Sequence, residues 1–66
     1  MELTVNGKKQ TCETGLTLEA FLKNQNVKPE SVVVEHNGNI IPFKEFAALT
    51  LQDGDTLEVL RFIGGG

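Results

Sequence analysis

A single cysteine, Cys12, is all the thiol chemistry the sequence holds. One cysteine cannot close an internal disulfide, and with the lone His36 it cannot complete a structural zinc site. Four-thiolate iron–sulfur clusters fall to the same count. Basic residues are scarce as well: six against nine acidic ones, a formal net charge of −3. Lys8-Lys9 is the sole adjacent basic pair, so the basic stripe that nucleic-acid binding requires is missing. No apolar run approaches the ~20 residues that span a bilayer. No basic stretch leads into an apolar one at the amino end, so no secretory leader is expected. The chain reads as soluble, cytoplasmic and free of membrane contact. P-loop, GxGxxG and nucleophile-elbow patterns are absent too, which leaves no self-contained active site.

What is present suffices for one small domain. At 66 residues and 39% apolar, such a chain buries roughly 60% of the surface its unfolded form exposes. Met1, Leu3 and Val5 alternate with Glu2 and Thr4, the period of a half-buried strand over residues 1–5. Asn6-Gly7 supplies the positive φ of a type I′ hairpin. Residues 8–12 then return as an edge strand whose lysines discourage further pairing. Thr17 is placed to cap a helix from Leu18 to about Gln25, with Leu18, Phe21 and Leu22 forming its apolar stripe. Val27 tucks under as the chain leaves, and Pro29 stops the helix from resuming. Residues 31–35 carry three consecutive valines, a strand by β-branched propensity. Asn37-Gly38 turns into the short pair Ile40-Ile41, and Pro42 confines that strand to an edge. Residues 43–49 form a helical turn or tight loop in which Phe43, Phe46 and Leu49 cap the core. Asp53-Gly54-Asp55 is a third turn, and residues 56–63 are the last strand.

A helix that follows a hairpin must cover one face of the sheet, and the last strand completes that sheet beside the first. The expected architecture is α+β: a mixed sheet of about five strands with one main helix across it, the β-grasp or ubiquitin-like arrangement. Residues 1–63 make up the domain and residues 64–66 a flexible glycine tail, mobile in the free protein.

Two features are left over. Gly64, Gly65 and Gly66 bury no side chain and lose the most backbone entropy on ordering, so stability has no use for them; a loose terminus or an expression remnant is the alternative. Strand parity puts Leu57, Val59, Arg61 and Ile63 on one face, and Thr56, Glu58, Leu60 and Phe62 on the other. With Leu57 and Val59 under the helix, Leu60 and Phe62 form an outward apolar patch just ahead of the glycines, unless Phe62 folds back onto the sheet edge. Other candidates read as structural. Cys12 is a small core or edge filler, and His36 a solvated turn residue. Glu35 and His36, being strand neighbours, point to opposite faces. Asp53 and Asp55 serve their turn, since a calcium loop needs more oxygen ligands.

Together these features resemble the sulfur carrier proteins of thiamine biosynthesis. The resemblance runs the whole length and rests on Met1-Glu2-Leu3-Thr4-Val5-Asn6-Gly7, on Val34-Glu35-His36-Asn37-Gly38-Asn39-Ile40-Ile41-Pro42, and on Gln52-Asp53-Gly54-Asp55 leading to Gly65-Gly66. It implies a protein that is not an enzyme but is acted on by enzymes. An adenylyltransferase of the ubiquitin-activating type would use ATP and magnesium to join AMP to the Gly66 carboxylate. A cysteine desulfurase pathway would supply sulfur, and thiazole synthase would take it from the resulting thiocarboxylate. Gly64 and Gly65 would thread the partner's active site while Leu60 and Phe62 dock the domain. The carrier itself would hold no metal or cofactor and would be a monomer when free. A sulfur carrier for molybdopterin or amino-acid synthesis, a ubiquitin-like protein modifier and a plain interaction domain remain the competing readings.

Overall fold

The computed structural model describes residues 1–62. Its chain order is β1 (Glu2–Val5), β2 (Lys8–Thr11), α1 (Leu18–Asn24), β3 (Val32–His36), β4 (Asn39–Ile41) and β5 (Thr56–Arg61). The five strands form one sheet in the order β2-β1-β5-β3-β4. β5 runs parallel to β1, with Leu57 opposite Val5, and antiparallel to β3, with Val34 opposite Val59. This is the expected mixed β-grasp sheet, with β2 and β4 at the two edges.

The helix begins where the cap predicts: Thr17 Oγ1 accepts a 3.1 Å hydrogen bond from the Ala20 amide. It ends in a Schellman motif. Asn26 takes φ +60, its amide donates to Lys23 and that of Val27 donates to Leu22, so the carbonyls left open by the last turn are satisfied. Leu18, Phe21 and Leu22 press onto Leu3, Val34 and Leu57, with Phe46 and Leu51 closing the core around them. The helix start is also stitched to the segment before β5, through Leu18 N to Leu49 O at 2.8 Å and Glu19 N to Phe46 O at 3.0 Å.

Four expectations need correction. Phe43 does not cap the core; it lies on a 3-10 turn (Phe43–Glu45) and is 56% exposed. Phe46 already fills the space, and Phe43 stacks edge-on against it from outside, ring centroids 5.5 Å apart. Ser31 belongs to a 3-10 turn at Pro29–Ser31, which shifts the valine strand one residue later and makes His36 its last member. His36 is therefore no solvated turn residue. Its side chain is largely buried and its Nε2 lies 2.7 Å from Asp55 Oδ2.

Asp55 is the hub of that corner. Besides His36 it accepts from the Gln52 amide at 2.9 Å and from Asn37 Nδ2 at 3.1 Å. Burial pushes its carboxyl upward, but the hydrogen bonds from Gln52, His36 and Asn37, with the charge of His36 added, outweigh it and hold the group below its ordinary value of 3.8. Asn37 Oδ1 in turn accepts from Thr56 N at 2.9 Å, clamping the start of β5. The other Asn-Gly turn does the same further along. Past the end of β1, Asn6 Oδ1 accepts from Val59 N at 2.7 Å and Asn6 Nδ2 donates to Val59 O at 3.1 Å. An amide side chain thus continues the β1 ladder by one residue. Asp53, expected to serve its own turn, instead accepts from the Glu2 amide at 2.7 Å and ties the turn to β1.

Two outcomes follow for stability. Asn6→Gly keeps the positive φ but loses both bonds to Val59, costing about 1 kcal/mol; Asn6→Ala adds backbone strain and costs about 2 kcal/mol, both read by urea denaturation. Because the folded-state pKa of Asp55 is lowered, its contribution is complete above the unfolded value and is lost as pH falls through the folded one. The stability gap between the parent protein and Asp55→Asn is thus widest near neutrality and narrows below about pH 4.

Candidate functional site

Since α1 covers only one face of the sheet, the other carries whatever side chains parity sends outward. Leu60 and Phe62 both emerge there, 63% and 65% exposed, as the alternation along the last strand predicts. Phe62 does not fold back onto the edge. Its amide donates to Ser31 O at 3.0 Å, which carries the β3–β5 pairing one residue past the end of β5 and holds the ring out. Leu60 stands opposite the half-buried Val33. Ile40 of β4, 67% exposed, joins the same face. Ile40 was not singled out from sequence, because its side of the sheet follows from the β3–β4 register. Ile41 pairs with the buried Val34, so its neighbour must point the other way.

The stripe therefore reaches the last of the described residues, Phe62. Gly64, Gly65 and Gly66, the expected attachment and threading residues, lie outside the described residues, as does their expected mobility. Cys12 is half-buried and packs against the core.

The remaining chemistry of the described chain lies elsewhere. The His36–Asp55–Asn37 cluster sits at the start of β5, about 20 Å from Phe62 at the rise of an extended strand. A groove of about 400 Å³ opens on the helix side, lined by Val5, Lys8, Phe21, Val27, Val59 and Arg61 among others, without an acid, histidine or cysteine. No group of three or more His, Cys, Asp or Glu among the described residues could hold a metal ion. No described helix is long and apolar enough to cross a membrane. The most distinctive feature of the described surface is the exposed apolar stripe of Leu60, Phe62 and Ile40 on the face opposite α1.

Known proteins resemble this chain in sequence and in fold. Thiazole synthase from Paramagnetospirillum magneticum is 39% identical over 66 residues, covering 100% of this chain and 20% of that protein. The chain spans about a fifth of the length of this relative and of the thiazole synthase from Magnetococcus marinus. The sulfur carrier protein ThiS of Bacillus subtilis is 35% identical, covering 97% of this chain and 98% of the relative. The crystal structure of the thiamine biosynthesis protein ThiS from Geobacter metallireducens superposes with a TM-score of 0.87 at 42% identity, covering 100% of both chains. A profile of the ThiS family matches residues 2–66. The match thus reaches from the first strand through the glycines, and the chain belongs to the ThiS family.

Proposed function

We propose that this protein is a sulfur carrier for thiamine synthesis, acting through the carboxylate of Gly66 rather than through any catalytic side chain. The observation that carries the reading is the uncovered stripe of Leu60 and Phe62, which stands just before a triple glycine in the sequence. Likeness over nearly the full length to a sulfur carrier protein supports it. The two thiazole synthases that contain a similar segment support thiazole synthase as the sulfur acceptor.

The chemistry explains why a partner is needed. A free carboxylate is a poor electrophile. An adenylyltransferase of the ubiquitin-activating type lets a Gly66 oxygen attack the α-phosphorus of ATP, with magnesium screening the phosphates and pyrophosphate leaving. The terminal sulfur of a persulfide, charged by a cysteine desulfurase, then attacks the acyl carbon and expels AMP. A thiol next splits the S–S bond, leaving a thiocarboxylate on Gly66 and a disulfide on the donor side. ATP and magnesium belong to the partner. The carrier works in the cytoplasm as a monomer when free.

Residues of this chain supply binding and reach. Ordering three glycines in a narrow channel costs about 1–2 kcal/mol each, and main-chain hydrogen bonds recover only ~1 kcal/mol apiece. Gly64 and Gly65 let the strand pass where a Cβ would clash, but the tail cannot hold the complex together. Burial of Leu60 and Phe62, ~1.5–3 kcal/mol each, offsets the deficit.

The test is the mass of the tryptic peptide spanning residues 62–66 after incubation with the adenylyltransferase, ATP and a sulfur source. Exchange of one oxygen for sulfur is expected, and the peptide contains no Met or Cys whose oxidation could imitate it. An unmodified peptide, with the partner active on a control carrier, overturns the proposal. Conjugates to lysine that survive thiol treatment would point to a protein modifier instead. Leu60→Ala and Phe62→Ala should each lower kcat/KM for adenylation about 10- to 100-fold, with little change in folding stability because both side chains are exposed.

A further inference from the structure

On the free face the apolar stripe is bordered by a charge arrangement that the fold does not need. Glu58 of β5 stands directly opposite Glu35 of β3, and Glu35 stands opposite Ile40 of β4. The bonds from Phe62 N to Ser31 O and from Asn37 N to Thr56 O set the phase of the ladder. In that phase Glu35 and Glu58 are a hydrogen-bonded pair, with Cα atoms about 5.5 Å apart. Both side chains are exposed, and neither forms an ion pair among the described residues. Among strand residues, the basic ones are Lys8, Lys9 and Arg61. Parity turns Lys8 and Arg61 toward the helix side. It leaves Lys9 on the free face, opposite Thr4, which is itself level with Thr56; two strands across and two residues along put it about 12 Å from Glu58.

Like charges directly opposite each other destabilise an antiparallel pair. Almost any β-former would be better for folding at either position. The two carboxylates are also set among apolar groups: Leu60 and Val33 form the next row toward Phe62, and Ile40 flanks Glu35. A carboxylate pair in such a frame is matched by one planar cation. An arginine can present its fork of five donors to two carboxylates while its stem lies on the neighbouring aliphatic side chains. A lysine ammonium offers neither the fork nor the plane.

We propose that Glu35 and Glu58 together form an acidic seat for an arginine on the face of the adenylating enzyme that meets Leu60 and Phe62. This rests on the carrier reading above and adds to it the charge of the partner. The arrangement suits a protein that must be handed on. Apolar burial alone gives slow release, whereas complementary charge raises the association rate and sets orientation without lengthening residence in proportion. The price is stability of the free carrier.

The experiment uses Glu35→Gln, Glu58→Gln and the double variant in the full chain, with the cognate adenylyltransferase and pyrophosphate release as the readout. Urea denaturation of the free proteins runs in parallel. The single variants should match or exceed the parent in stability, since a repulsion is relieved. In the double variant kcat/KM for the carrier should fall about tenfold or more at low salt, its salt dependence should flatten, and kcat at saturation should hold. A purely structural role would instead lower stability and leave the salt dependence unchanged, and that result overturns the proposal. A double variant with parental kcat/KM and salt dependence, beside an impaired Leu60→Ala, also overturns it while leaving the carrier reading standing. Failure of the parent protein to be adenylated, by an enzyme active on a control carrier, removes the carrier reading itself and this inference with it.

Discussion

The pairing of β5 on both sides, parallel to β1 and antiparallel to β3, is the constraint on which the rest of the molecule depends. It places Leu57 at the centre of the sheet beneath α1, in contact with the other buried residues of the core. It also decides which side chains of the last strand remain outside. Two side-chain amides hold the strand in register: Asn37 at its start and Asn6 beyond the end of β1, each a turn residue with positive φ whose amide bonds the β5 main chain. A slip of one residue would send Leu57 out and Leu60 in. The clamps therefore protect the core and the exposed stripe of Leu60 and Phe62 at once.

Local signals carried most of this into the sequence. The cap at Thr17, the stripe of Leu18, Phe21 and Leu22, and the two Asn-Gly turns each act within a few residues and are readable there. Edge positions for β2 and β4 follow from lysines and from Pro42. The features that escaped act across distance. His36 meets Asp55 at a separation of 19 residues, and no periodicity announces such a contact. The amide of Asn6 reaches Val59 across 53 residues, so the Asn-Gly dipeptide revealed the turn but not the clamp. Phe43 and Phe46 are chemically alike, and only the space left beside α1 determines which is buried. At the candidate site, parity alone located Leu60 and Phe62, while Ile40 required the β3–β4 register.

The two faces of the sheet obey different rules. Beneath the helix the buried positions are what a core requires, aliphatic or aromatic and closely packed, and no buried side-chain polar atom among the described residues lacks a partner. On the free face, exposed apolar groups and opposed carboxylates stand where threonines would serve a monomer better. Such local conflicts are expected where binding rather than folding selects the residue.

The parallel pairing of β1 with β5 has a further consequence, in time rather than in space. The first strand of the sequence cannot complete its pairing until the last has been made, so the long-range contacts form late and folding is slower than local helix and hairpin formation. During synthesis the hairpin, helix and valine strand exist before the central strand arrives, leaving β1 and β3 each with an open inner edge. A chain halted before Thr56 would expose two unpaired strand edges and an uncovered helix stripe, the combination most prone to aggregation. The domain therefore becomes whole only as residues 56–61 join the sheet, and the segment that completes the fold is the one that leads into the glycines.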